Sequence, residues 1–459
     1  MQTNFTKEQL LDPATAEADA ILRRCVHCGF CTATCPTYLV LGDERDSPRG
    51  RIYAIKDMME RGADAKPEVF THIDRCLSCF SCMTTCPSGV DYMHLVEIAR
   101  VHIEKTGKRR LKDRMVRKLL SQIVPYPGRF RLALKAAPLG RKFAPALRRI
   151  GLGELAAMTE LAPKTSTPSA KFTGPGTAVT ERERTARVIL LAGCAQQVLR
   201  PQINDATIRL LARGGVDVIV PSGAGCCGAL TQHIGMEKDA TASIKKNIDA
   251  WWHEMEKGPV DAIVINASGC GTTVKDYGHF LKHDPDYAEK AAKISALTKD
   301  VTEFVANHDI GAPKRWSSLK VAYHSACSLQ HGQRITLQPQ LLLKKAGFTV
   351  VDIPEGHICC GSAGVYNILQ EKIANQLLER KAAHIKDLRP DIVAAGNIGC
   401  IAQIARGVDV PVVHTVELLD WAYGGPVPHD LAGLEQYSTP VPQPRRAVDD
   451  YISPLSPQL

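Results

Sequence analysis

The sequence predicts an α+β chain of several domains, with a mainly helical N-terminal domain followed by two copies of a small α/β unit. Three observations carry this. Eight of the sixteen cysteines fall in the first 106 residues, inside two copies of one spacing pattern between helix-like flanks. The other eight fall beyond residue 186, in a segment that repeats itself at an interval of 133 positions. Between the halves, residues 161–186 are rich in Pro, Gly, Ser and Thr and read as a linker.

At 459 residues the chain is long enough for two or three domains. Its 44% hydrophobic and 23% charged content are those of a globular protein. There is no run of eighteen apolar residues, so no membrane-spanning helix is expected. The stretch Met1–Leu22 carries Glu8, Asp12, Glu17 and Asp19 and lacks an apolar centre, so it does not read as a secretory signal. A cytoplasmic setting follows as the expectation, and there cysteines serve as metal ligands more often than as disulfides.

Residues 1–106 form the first predicted domain. It holds Cys25-x2-Cys28-x2-Cys31-x3-Cys35-Pro36 and Cys76-x2-Cys79-x2-Cys82-x3-Cys86-Pro87. This is the ferredoxin-type run that ligates [4Fe–4S] clusters, in which the fourth cysteine of each run reaches the other cluster. Two [4Fe–4S] clusters are therefore expected, one on Cys25, Cys28, Cys31 and Cys86, the other on Cys76, Cys79, Cys82 and Cys35. Zinc ribbons also use C-x2-C pairs, but not three evenly spaced cysteines with a fourth followed by proline. His27 is read as a polar neighbour rather than a tuning group. Asp46 to Arg51 reads as a turn into a helix, its basic residues either facing the clusters or pairing with Asp43 and Glu44.

Residues 107–160 are a basic helical segment with breaks expected at Pro125, Pro127 and Pro138. From Lys108 to Arg149 there are fourteen Lys or Arg against one acid, Asp113, which exceeds the net charge of +9 of the whole chain. Lys112, Arg114, Arg117 and Lys118 alternate with Leu111, Met115, Leu119 and Leu120 in the manner of a surface-lying amphipathic helix. Residues 108–149 are thus expected to meet either an anionic membrane surface or an acidic partner subunit. Sparse aromatic residues argue against nucleic acid.

The two repeat units are placed at 187–305 and 316–423. Arg187-Val-Ile-Leu-Leu-Ala-Gly-Cys194 and Lys320-Val-Ala-Tyr-His-Ser-Ala-Cys327 are apolar strands ending at a cysteine. Thirty-two residues after each comes Cys-Cys-Gly, at Cys226-Cys227-Gly228 and Cys359-Cys360-Gly361. A long helix and a further strand then lead to Cys270 and Cys400. Strand–helix–strand–helix–strand order predicts parallel sheets, with the cysteines beyond the carboxyl ends of the strands. Residues 424–459 are Pro-rich and read as a disordered tail.

The pattern of cysteine, Cys-Cys-Gly and later cysteine resembles the cysteine-rich domain of the heterodisulfide reductases. Joined to two ferredoxin motifs, it resembles the iron–sulfur subunits of bacterial glycolate oxidase (glycolate dehydrogenase). The segments that carry the likeness are Cys25-Val-His-Cys-Gly-Phe-Cys-Thr-Ala-Thr-Cys-Pro-Thr-Tyr38, Gly50-Arg-Ile-Tyr53, Asn247-Ile-Asp-Ala-Trp-Trp252, Ala267-Ser-Gly-Cys-Gly271 and Cys359-Cys-Gly-Ser-Ala-Gly364. The resemblance implies an electron-transfer subunit that takes electrons from an FAD-binding partner oxidising glycolate to glyoxylate and passes them towards a quinone or other acceptor. It also implies a cytoplasmic protein, peripheral on the inner face of the membrane if the basic segment binds lipid. Subunits of lactate-utilisation and anaerobic glycerol-3-phosphate dehydrogenase complexes share the layout and are the alternatives, with a thiol–disulfide reductase as a third. Gly223-x-Gly225 and Gly174-Pro-Gly176 are too short for a dinucleotide fingerprint, so the flavin is expected on another chain.

One departure stands out. The heterodisulfide reductase pattern closes each repeat with C-x2-C, whereas Cys270 is followed by Gly-Thr-Thr and Cys400 by Ile-Ala-Gln. Each repeat therefore offers four thiols: Cys194, Cys226, Cys227 and Cys270, then Cys327, Cys359, Cys360 and Cys400. They could hold an additional cluster or zinc, act as a redox dithiol, or simply pack. His324 and His357 read as core or surface histidines rather than ligands.

Overall fold

The computed structural model describes residues 1–62, 65–163, 174–180 and 182–441. Its N-terminal part is helical throughout: α1 (Pro13–Arg24), α2 (Pro36–Leu41), α3 (Pro48–Arg61), α4 (Pro67–Asp74), α5 (Ser81–Thr85) and α6 (Tyr92–Thr106). The starts are written locally. Asp12 accepts from the Thr15 N–H and Ser47 from the Gly50 N–H, each with proline at the next position. Asp91 caps α6 by accepting from the His94 N–H. Leu22, Ile55, Ile73, Leu95 and Ile103 are fully or almost fully buried in the core these helices share.

Helices α7 (Leu111–Ile123), α8 (Pro127–Arg149) and α9 (Gly153–Leu161) make up the basic segment. The break expected at Pro138 does not occur, and α8 runs through both Pro138 and Pro145. The two prolines lie seven residues apart on the exposed side of the helix, where water can satisfy the freed carbonyls. Arg117 is not a surface cation either. It is buried, 2.8 Å from Asp74, which also holds Arg109 at 2.6 Å. Leu120 likewise packs inward beside Val116.

A five-stranded sheet follows, in the order β1-β3-β2-β4-β5: β1 (Gly176–Ala178), β2 (Ala186–Leu190), β3 (Val216–Val220), β4 (Ala262–Ile265) and β5 (Thr298–Asp300). All neighbours are parallel except β1 with β3. The crossovers are α10 (Gln196–Leu199), α11 (Gln202–Arg213), α12 (Ala229–His233), α13 (Glu237–Glu256), α14 (Ser268–Lys275), α15 (Tyr277–Phe280) and α16 (Ala288–Leu297), and α17 (Val301–Ala306) follows the last strand. The second sheet has β7 (Lys320–His324), β8 (Thr349–Asp352), β9 (Ile392–Ala395) and β10 (Val412–His414) in the parallel order β10-β9-β7-β8, preceded by the short β6 (Arg315–Ser317). Its helices are α18 (Gln338–Lys345), α19 (Tyr366–Leu369), α20 (Glu371–Leu388), α21 (Ile398–Ile404) and α22 (Thr415–Ala422).

Strand order is the same in both repeats once β1 is set aside, with β2, β3, β4 and β5 matching β7, β8, β9 and β10. The fourth strand of each goes beyond the strand pattern expected, since three residues are too few to show one. The two units do not have separate cores. Val188 and Leu190 of β2 join Val321 and Ala322 of β7 in one apolar core, while Ile189 faces a second cluster with Ile244 and Ile263.

Two expectations about connecting segments change. In the linker, residues 164–173 and 181 lie outside the described residues, but Gly176–Ala178 adds an edge strand and Thr180 donates its N–H to Asp217 at 2.9 Å. The expected disordered tail begins too early. Residues 424–441 fold back, with Leu431 fully buried and β11 (Ser438–Pro440) pairing antiparallel with β6. Residues 442–459 lie outside the described residues.

The N-terminal domain docks on both repeats. His94 bridges Asp91 at 2.6 Å and Asp276 of the first repeat at 3.1 Å, and stacks on His279. Burial opposes protonation of His94, but the two carboxylates outweigh it and raise its pKa to about 10. Towards the second repeat, Tyr366 donates to the Arg75 carbonyl at 3.0 Å, and Thr84 meets His331 at 2.8 Å.

Candidate metal centres

The two C-x2-C-x2-C loops adopt the same backbone path. His27 and Gly29 flank Cys28 with φ of 55° and 86°, and Ser78 and Phe80 flank Cys79 with 48° and 60°. Left-handed residues on either side of the middle cysteine turn successive backbone N–H groups inward, a concavity suited to an anion such as a thiolate-bound cluster. Cys35 then caps the start of α2 and Cys86 the end of α5, each followed by proline.

This geometry brings cysteines of the two motifs together. One cavity is lined by Cys25, Cys28 and Cys31 of the first motif and by Cys82 and Cys86 of the second, with Pro48, Pro87 and Tyr92 around them. Burial pushes the Cys31 thiol up to about 11, and its neighbours Cys25, Cys35 and Cys86 push the same way. Cys79 and Cys82 are buried with their pKa raised well above the ordinary value, first by burial and then by neighbours that include Cys76 and Cys35. Thiols crowded this closely repel one another as thiolates, which is the chemistry of a ligand set that a cation must complete. His27 sits edge-on to Tyr53, with ring centroids 6.4 Å apart, at the margin of this cavity.

The second set has a buried cationic wall. Arg51, 1% exposed, donates to the His72 carbonyl at 2.6 Å and to Thr37 at 3.0 Å, lies 3.4 Å from Asp46, and points Nη1 at Cys35 Sγ, 3.9 Å away. Asp46 also holds Arg75 at 2.8 Å and His72 at 3.0 Å. Arg100 donates to Ser78 and to the Cys76 carbonyl, and Tyr92 donates to Cys76 Sγ at 3.6 Å. Burial alone would raise the Cys76 thiol; Arg51 and Arg100 overcome it and hold the pKa below its ordinary value. Of the basic residues between the motifs, Arg45 and Arg49 pair with Asp43 and Glu44, while Arg51 faces the cysteines.

In each repeat the four cysteines gather beyond the carboxyl ends of the strands. Cys226 accepts from Cys194, from Cys227 and from the Gly228 N–H at 3.5 Å, which hold its pKa well below the ordinary value. In the second repeat the Gly361 N–H reaches Cys359 Sγ at 3.5 Å, and Cys327 Sγ lies 3.9 Å from the same atom. Only glycine fits after the paired cysteines here. Gly361 has φ of +89°, and a Cβ there would lie 2.5 Å from the Ala374 carbonyl oxygen of α20. The second site also abuts the N-terminal domain, since Cys359 packs in one cluster with Leu77, Cys79 and Ile358.

His324, read from the sequence as a core or surface histidine rather than a ligand, is in the core, and it lies beside two of the cysteines. At the end of β7 it is 2% exposed, and its ring comes within 4.8 Å of the Cys360 and Cys400 sulfurs. The sequence does not show that pairing, because His324 ends β7, Cys360 lies in the loop between β8 and α19, and Cys400 lies in α21. His357, by contrast, is exposed.

Comparison with known proteins fits this layout. The 4Fe-4S dicluster domain matches residues 21–90, and the cysteine-rich domain matches residues 188–275 and 321–405. The glycolate oxidase iron-sulfur subunit of Escherichia coli (strain K12) is 40% identical over 422 residues, covering 92% of this chain and 99% of that protein. The chain belongs to the glycolate oxidase iron–sulfur subunit family. A probable glycolate oxidase iron-sulfur subunit of Bacillus subtilis (strain 168) is 31% identical over 423 residues, covering 88% of this chain and 94% of that protein. Lactate utilization protein A of Bacillus licheniformis is 26% identical and, at 99% of its own length, covers only 51% of this chain. Members of the glycolate oxidase family therefore match the full arrangement of dicluster domain and paired repeats. No helix among the described residues is long and apolar enough to cross a membrane.

Proposed function

We propose that this chain is the electron-relay subunit of a flavin-dependent 2-hydroxy-acid dehydrogenase complex that oxidises glycolate to glyoxylate, with the FAD on a partner subunit. The observation that carries the reading is the pair of interleaved cysteine sets, one opening on an exposed face and one enclosed. Two [4Fe–4S] clusters, when bound, each take up and release one electron. Cys25, Cys28, Cys31 and Cys86 would hold one, and Cys76, Cys79, Cys82 and Cys35 the other. The crossing forces the two sets to share α2, α5 and the chain between them, which keeps them close. Arg51 and Arg100 offset the negative charge of the enclosed set, and the helical core excludes water from it. The eight cysteines of the repeats are read as further metal or redox positions.

The partner's docking face is assigned to the surface around Cys28. That cysteine is exposed, and Val26, Phe30 and Tyr53 beside it are 67%, 61% and 61% exposed. An apolar patch beside the most exposed of the ferredoxin cysteines suits a partner that must bring a flavin close. Phe30→Asp is expected to slow glycolate-driven bleaching of the clusters about tenfold or more in the assembled complex, with iron content unchanged. An unaltered bleaching rate in anaerobic stopped-flow would remove this face from the pathway.

A second surface is read as contacting anionic lipid. Leu111, Met115, Leu132, Leu139 and Phe143 are exposed on α7 and α8, and exposed Arg114, Lys135, Lys142 and Arg149 lie among them in sequence. That combination supports a peripheral position near a membrane quinone, each cation adding about 1 kcal/mol close to an anionic surface. The isolated chain should sediment with vesicles containing phosphatidylglycerol, and Leu132→Asp with Phe143→Asp should abolish this. Equal recovery with neutral vesicles, or none with either, would leave docking to an acidic subunit as the explanation.

A further inference from the structure

Three trios of donor side chains among the described residues come within 4.8 Å of one another. In Asp43–Asp46–His72, the central carboxylate is already bonded to Arg51 and Arg75. In Glu17–His94–His279, both nitrogens of His94 are engaged by Asp91 and Asp276. The third, His324–Cys360–Cys400, differs. All three residues are at most 2% exposed, and His324 Nδ1 is buried without a hydrogen-bond partner. A buried imidazole nitrogen left unpaired beside two thiols is costly unless a cation takes it up.

We propose that the second repeat binds a single zinc-class ion through His324, Cys360 and Cys400. Mixed nitrogen and thiolate donors are the preference of a borderline-soft divalent ion, which takes them in a tetrahedron. The spacing argues for one ion rather than a cluster. Ligands on one ion sit at the corners of a small tetrahedron, whereas four irons hold their thiolates further apart, and among the described residues no trio of ferredoxin-motif cysteines meets the 4.8 Å limit. With three protein ligands the fourth position is left to a ligand from outside the trio. Asn397 Nδ2, 3.5 Å from Cys400 Sγ, holds that sulfur in place. The ion would pin the end of β7 and the first turn of α21 to the loop after β8, behind the Cys327–Cys359 pair that packs with Cys79.

The first repeat lacks the histidine and, among the described residues, has no trio of donors within 4.8 Å of one another. Leu191 stands three residues before Cys194, where His324 stands three before Cys327, and it is equally buried. The pattern that reads as two equal thiol sets in the sequence is therefore asymmetric in space, and one ion per chain is expected rather than two.

The test is metal analysis of the anaerobically purified full chain and its variants. Wild type should hold about one zinc beyond the roughly eight irons of the two ferredoxin sites. His324→Leu, which installs the first repeat's residue, should lose the zinc while keeping the iron and its EPR signals. His324→Cys should retain zinc and show an all-sulfur protein ligand shell at the zinc X-ray absorption edge, where wild type shows a nitrogen. Zinc retained in His324→Leu, zinc lost from His324→Cys, no zinc in wild type, or about four further irons in its place would each overturn the proposal. Because the ferredoxin iron is counted separately, loss of the zinc site leaves the electron-relay reading untouched, and absence of the eight irons would fail that reading alone.

Discussion

Cys86→Ser is expected to remove the cluster bound by Cys25, Cys28 and Cys31, not the one bound by its own motif partners Cys76, Cys79 and Cys82. Iron should fall from about eight to about four per chain, and glycolate-driven electron flow through the complex should drop at least about a hundredfold, because the relay loses the position nearest the exposed face. The reason is geometric. Cys86 ends α5, and with Pro87 it lines the cavity that holds Cys25, Cys28 and Cys31. Cys35 comes to rest against Arg51 and Asp46. Cys35→Ser should accordingly spare the exposed cluster and remove the enclosed one. EPR of the reduced variants separates the cases, since loss of either cluster also abolishes the magnetic interaction between the two. If Cys86→Ser instead leaves an intact cluster on Cys25, Cys28 and Cys31, the motifs are uncrossed and the relay order proposed above falls.

How much of this was legible in the sequence follows the range of the forces involved. The ferredoxin loops are short-range objects: spacing, proline after the fourth cysteine and a left-handed turn at Gly29 are all local. The repeats were legible because strand, helix and Cys-Cys-Gly recur at fixed intervals. The kind of site each repeat forms was not, since His324 and Leu191 differ by one residue inside otherwise matching strands, and only the sheet brings β7, β8 and β9 to one edge. Strands β5 and β10 are three residues long and owe their form to pairing with β4 and β9. Pro138 and Pro145 break the local rule for helices and are tolerated because they face water. Arg117 looks like one cation among many in the sequence; its partner Asp74 lies 43 positions earlier, so its burial could not be inferred from charge pattern. The folding back of residues 424–441 depends equally on a distant strand, β6.

Arg51→Gln is expected to lower the reduction potential of the enclosed cluster by about 80 mV. A guanidinium held some way inside the protein interacts with an added electron at about 2 kcal/mol when the effective dielectric is near 20, and for a one-electron couple about 1.4 kcal/mol corresponds to 59 mV. The sign is set by charge: the cluster and its thiolates are anionic, reduction adds another negative charge, and a neighbouring cation favours the reduced form. Solvent screening is weak here because Arg51 is 1% exposed and Cys76 is buried in the helical core. The fold should survive, because Asp46 keeps Arg75 and His72 as partners, although loss of the bonds to Thr37 and the His72 carbonyl should cost about 1–3 kcal/mol of stability. Arg51→Lys restores the charge without the planar fork, so its potential should lie close to wild type while its stability does not. The contrast between the two variants separates an electrostatic role from a packing one. Redox titration followed by EPR makes the comparison, and a Gln variant whose potential matches wild type would mean that Arg51 only braces the turn at Asp46.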